Sequence, residues 1–101
     1  MFKGGMVEMM KKAKQMQEDM ESAKQEIKLI SCRGESASGA IKVDLNGEYK
    51  VTNISIDNSL MDDKEMLEDL LILAINNASN EVSLISKEKL KSATGGINLP
   101  F

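Results

Sequence analysis

Apolar residues recur along the first third of the chain at Met6, Met9, Ala13, Met16, Met20, Ala23, Ile27 and Ile30. The steps alternate three and four residues, and the positions between them carry Lys, Gln, Glu and Asp. That is a heptad seam, and it predicts a helix over about 6–28, opening after Gly4-Gly5. The period then shortens. "LISCRGES" is richer in small and β-branched residues and predicts a strand over about 29–36, with a bulge at Gly34. "GESASG" is a turn by composition. "AIKVDLNG" alternates, with Ile41, Val43 and Leu45 on one face and Lys42 and Asp44 on the other, giving a strand over about 40–46.

Asn46-Gly47 is a strong hairpin signal, since both residues tolerate positive φ. The return strand, about 49–57, has two candidate registers. A two-residue loop sets Glu48 and Lys50 beside Leu45 and Val43. A three-residue loop sets Tyr49 and Val51 there and buries more. Ile54 and Ile56 fall on the opposite parity, so a bulge is expected near Thr52-Asn53. A second helix over about 63–93 follows, with Asp62 or Asp63 as N-cap and Gly95-Gly96 as its stop. It is apolar almost all round from Met66 to Ile75, then narrows to Ala78, Val82 and Ile85. The first half should therefore be buried on several sides and the second half on one. Residues 94–101 form an expected loose tail.

These lengths do not fit one compact body. The second helix would span roughly 45 Å and the first roughly 35 Å. A three-stranded sheet is only some 15 Å wide, and a compact chain of this length is on the order of 33 Å across. At least one helix must overhang, and its seam needs a cover. The expected cover is partly the chain itself and partly a second copy across a two-fold axis. Met9, Met16, Met20, Leu70, Leu73 and Ile75 are the expected dimer-interface residues.

Composition agrees with a small core. The chain has 101 residues, one expected domain, with 42% hydrophobic residues but only 3% aromatic. The single cysteine, Cys32, can form no internal disulfide, which suits a reducing cytoplasm. No apolar run reaches the roughly 20 residues of a membrane span, and no signal peptide is expected. Histidine is absent. Cys32 and Ser31, Ser36, Ser38 and Ser55 therefore lack the base that nucleophilic catalysis uses. The glycines form no phosphate loop and the acids no EF-hand. We expect no catalysis, no cofactor, no metal and no small-molecule substrate.

Charge changes the picture more. The net charge is −3, but residues 1–14 hold four lysines and one glutamate, while residues 57–71 hold six acids and one lysine. Lys3, Lys11, Lys12 and Lys14 on the first helix, and Lys87, Lys89 and Lys91 at the end of the second, are candidate phosphate contacts. Read alone, such lysines are more often a solvated face. Asp57, Asp62, Asp63, Glu65, Glu68 and Asp69 are better explained by helix capping and a DNA-repelling face than by a metal site.

The stretches "GESASGAIKVDLNGEYKVTNISIDNSL" (34–60) and "DDKEMLEDLLILAINNAS" (62–79), with the opening "MFKGGMVEMMKKAKQMQEDM" and the ending "GGINLP", resemble the YbaB/EbfC family of nucleoid-associated proteins. The weight lies on "VDLNG", "ISID" and "DKEMLEDL" occurring together at these separations. The resemblance implies an α+β subunit, helix–three-stranded antiparallel sheet–long helix, in a tweezer-like homodimer. It also implies binding of duplex DNA with little sequence preference, in the cytoplasm on the nucleoid, and no enzymatic activity. A dimeric protein–protein adaptor that never touches DNA is the alternative.

Overall fold

The computed structural model describes residues 2–94, with side chains from Gly5 onward. The elements are α1 (Phe2–Lys28), β1 (Ser31–Ser36), β2 (Ile41–Asn46), β3 (Val51–Ile56) and α2 (Lys64–Ala93). Single 3-10 turns at Ala37–Gly39 and Asn58–Leu60 join β1 to β2 and β3 to α2. The sheet is antiparallel in the order β1-β2-β3. This is the expected helix–sheet–helix order.

α1 begins at Phe2 rather than near Met6 and runs through Gly4-Gly5. A glycine costs a helix about 1 kcal/mol relative to alanine. It ends a helix only when its backbone turns left-handed, and Gly5 does not. α2 opens where an acid caps it: the Asp63 carboxylate accepts from the Met66 N–H at 3.1 Å. Asp57 closes the preceding turn by accepting from the Ser59 N–H at 2.9 Å. Two of the six acids therefore satisfy backbone donors. At the other end, Thr94 is not loose. It is buried, its N–H donates to the Leu90 carbonyl, and its hydroxyl donates to the Lys91 carbonyl. Gly95-Gly96 and the rest of the expected tail lie outside the described residues.

The hairpin differs from both candidate registers. Asn46 donates its N–H to the Lys50 carbonyl, so the loop is Gly47, Glu48 and Tyr49, and Val51 stands opposite Leu45. The Asn46 side chain sets this loop by accepting from the Glu48 and Lys50 N–H groups. The left-handed residue is Tyr49, at φ 62°, not Asn46 or Gly47. Gly47 is needed for another reason: a Cβ there would collide with the Ile27 carbonyl at the end of α1. The bulge is where expected. The register shifts between Asp44 and Leu45, leaving Thr52 as the extra residue on β3. That shift brings Val51, Ile54 and Ile56 opposite Leu45, Val43 and Ile41.

Gly34 makes no bulge, for β1 and β2 pair without a shift. It lets α2 descend on the sheet, and a Cβ there would strike the Ala74 carbonyl and meet the Ala78 backbone. The Ser36 hydroxyl donates to the Leu70 carbonyl at 2.7 Å, and the Asn77 amide donates to the Glu35 carbonyl at 3.0 Å. Along β1 from Ser36 back to Cys32, the facing α2 residues advance from Leu70 toward Glu81, so α2 lies antiparallel to β1. The core is Cys32, Ile41, Val43, Leu45 and Leu60 under Ala74, Ala78 and Val82. Beyond them, Ile85 still packs against this core.

Toward the end of α2, α1 takes over as its neighbour. Lys89 pairs with Glu26 at 3.6 Å, Ala23 is buried, and Asp19 and Ser22 face Ser92 and Ala93 across a cleft. The helices are thus antiparallel, and among the described residues the first half of α1 continues past the end of α2 for roughly 20 Å. The molecule measures 74 × 19 × 16 Å with a radius of gyration of 20.0 Å, against about 13 Å for a compact chain of this length.

Candidate nucleic-acid interface

The free half of α1 carries Lys11, Lys12 and Lys14. All three are exposed, and none is in an ion pair among the described residues. Lys11 and Lys14 share one helix face with Val7 and Met10. The spacing of three and four residues that puts them together is the same one that builds the seam behind. The side chain of Lys3 lies outside the described residues. Lys87 and Lys91 sit exposed on the last turns of α2, where a cation is also favoured by the helix dipole. Lys89 is different: it is half-buried, and its ammonium is engaged by Glu26. Nothing in the local sequence flags that pair, because its partners are 63 positions apart. The structure therefore brings the candidate lysines of both helices that have described side chains toward one end of the rod. The acids at the start of α2 lie at the other end.

The expected interface residues divide. Leu70 and Ile75 pack against the chain's own core. Met16 and Met20 are half-buried on the seam that continues to Ala23, while Met9 and Leu73 are open to solvent. The apolar run Met66–Ile75 is covered on one side only, and Met66 and Ile72 remain exposed with Leu73. On β3, Val51 and Ile54 share the face of Leu45 and Val43, yet α2 does not reach them and nearly half of each is exposed. Val51 and Ile54 are not among the interface residues expected from the sequence. Their signal was the alternation of "YKVTNISID", which says which way a side chain points but not whether anything lies above it.

On the face of the sheet away from α2, Arg33 and Asp44 stand opposite each other, with Arg33 Nε 2.8 Å from Asp44 Oδ1 and Nη2 3.1 Å from Oδ2. The guanidinium's hydrogen bonds and charge hold the Asp44 carboxyl below the usual carboxylate range. A carboxylate depressed in the folded state stabilises the fold above its unfolded pKa, about 3.9, and that contribution is lost as pH falls through the lower folded value. Asp57 is depressed in the same sense by the Ser59 backbone N–H. Thermal melting of Asp44→Asn from pH 7 down to pH 2 should therefore show a shallower acid limb than the parent; an identical limb would contradict this assignment.

Cys32 is buried on the core side of β1, where burial, and then Glu81, push its thiol up. Among the described residues, no group of three or more potential metal ligands gathers. No described helix is long and apolar enough to cross a membrane.

Comparison with known proteins agrees with this geometry. A crystal structure titled "uncharacterized protein HP0035 from Helicobacter pylori" is similar to this chain at 26% identity and a TM-score of 0.63. The match covers 72% of this chain and 87% of that one. The sequence model of the YbaB/EbfC DNA-binding family matches residues 2–97. With that match running from the free arm through the sheet to the end of α2, the chain belongs to the YbaB/EbfC DNA-binding family.

Proposed function

We propose that this chain is a single-domain nucleoid-associated protein of the cytoplasm that binds duplex DNA as a homodimer. It acts through phosphate contacts rather than base readout, in nucleoid organisation or gene regulation, without catalysis or cofactor. The observation that carries the reading is the unpaired trio Lys11, Lys12 and Lys14 on a helix projecting beyond the rest of the fold. A second copy covers the apolar surface that the chain leaves open at Val51, Ile54 and Leu73. Dimerisation doubles the arm, so two sets of lysines address one duplex. Lys87 and Lys91 extend the same surface, and Lys89 holds the two helices together through Glu26.

Phosphate contacts release counterions, so the affinity should follow salt steeply. If the six arm lysines of a dimer each neutralise one phosphate, binding to random-sequence duplex falls about a thousandfold between 50 and 200 mM salt. A filter-binding titration at these two concentrations measures this. An adaptor that never touches DNA shows no binding at either, which would overturn the reading.

A further inference from the structure

The free arm of α1 is not only basic. Met6, Val7, Met9 and Met10 are all exposed there, Met6 by 67% and Met9 by 73%, beside Lys11 and Lys14. A second arm is a poor cover for this face, because it would set lysine against lysine. The complementary surface is on the page. At the start of α2, Glu65, Glu68, Asp69 and Ile72 are exposed on one face, flanked by exposed Met61 and Met66. None of the three acids is in an ion pair among the described residues, and the caps of this end are made by Asp57 and Asp63 instead. The two faces have the same spacing and opposite content: Val7, Met10, Lys11 and Lys14 against Glu65, Glu68, Asp69 and Ile72. Laid antiparallel, Val7 meets Ile72, Lys11 meets Glu68 and Asp69, and Lys14 meets Glu65.

Within one chain this contact cannot form. The arm lies beyond the C-terminal end of α2, and the acids lie at its N-terminal end, roughly 45 Å away along the helix. We propose that the Lys11–Lys14 arm of one copy docks on the Glu65–Ile72 face of another, so that the protein's own acidic end competes with DNA for the arm. The partner is a second copy of this chain, and the contact is electrostatic with an apolar pin. It rests on the DNA-binding reading only for the competition.

Sedimentation velocity of the full chain at about 20 and 300 mM salt tests the contact, since exposed pairs are screened at the higher value. The expected result is a heavier, concentration-dependent species at low salt that disappears at high salt. It should also be absent at both salts in E65Q/E68Q/D69N, which leaves both capping aspartates in place. No salt-sensitive species in the parent would overturn the proposal. So would an unchanged one in the amide variant, which would assign the association to arm–arm or sheet contacts. The competition has its own readout. Excess K11E/K12E/K14E, whose acidic face is intact, should displace DNA from the parent severalfold better than the same variant also carrying E65Q/E68Q/D69N. Equal displacement by the two would overturn it, and subunit exchange cannot produce the difference because both competitors share it. If the parent bound no DNA at all, the DNA reading would fail while the sedimentation result still decided the docking.

Discussion

Lys11→Glu, Lys12→Glu and Lys14→Glu together should abolish the gel shift of random duplex DNA while leaving the fold and the homodimer intact. The three side chains are exposed and make no ion pair among the described residues, so no intramolecular contact is lost. Glutamate is about as good a helix former as lysine, and surface changes of this kind are usually within about 0.5 kcal/mol in stability. On the DNA side the effect is large. A dimer loses six counterion-releasing contacts and gains six repulsions, and the salt slope that they carried goes with them. Circular dichroism melting, and sedimentation of the variant at about 300 mM salt, where exposed pairs are screened, provide the control. Unchanged DNA affinity would remove the arm from the interface.

The second large effect is on stability. Gly34→Val should cost at least about 3 kcal/mol, the upper end of ordinary overpacking. The atoms that the new side chain meets are backbone: the Ala74 carbonyl and the Ala78 amide of α2. Backbone cannot rotate out of the way as a side chain can, so α2 must lift from β1. That would disturb the Ser36–Leu70 and Asn77–Glu35 hydrogen bonds beside it. A domain of this size has only about 5–10 kcal/mol in hand, and each kcal/mol shifts the melting temperature by roughly 4–8 °C. The expected result is a melting temperature lower by more than 10 °C, or no cooperative transition. A melt within a few degrees of the parent would show that α2 does not approach β1 as described.

Gly34 also shows where sequence reading stops. The order of elements was legible because each rests on a local period: the 3-4 alternation of Met6, Met9, Ala13 and Met16, the strict alternation of Ile41, Val43 and Leu45, and an acid before a long apolar run. The bulge near Thr52 was legible as a conflict of parity. What was not legible is which surfaces meet. A glycine cleared for a neighbouring backbone looks the same in sequence as one that bends the chain, so sequence alone predicts a bulge at Gly34 and a turn former at Gly47. The positive φ falls on Tyr49 because Asn46 fixes the loop, a preference set by four hydrogen bonds rather than by composition. The lysines were legible as a list and as a local charge. That Lys89 is held by Glu26, while Lys11, Lys12 and Lys14 stand free on an arm, follows from the antiparallel packing of α1 on α2. No short window of sequence contains that packing.

The exposed strip on β3 follows the same logic. Val51 and Ile54 alternate as core residues should, and they do point to the core side. They remain open because a single helix is too narrow to roof three strands. α2 lies over β1 and β2, and the third strand waits for another roof.

Sedimentation equilibrium at micromolar protein, alone and with a short duplex, measures that point most directly. The account requires a dimer, twice the 11.1 kDa chain mass, and two chains per bound duplex. A stable, well-folded single chain that binds the duplex one to one would contradict it.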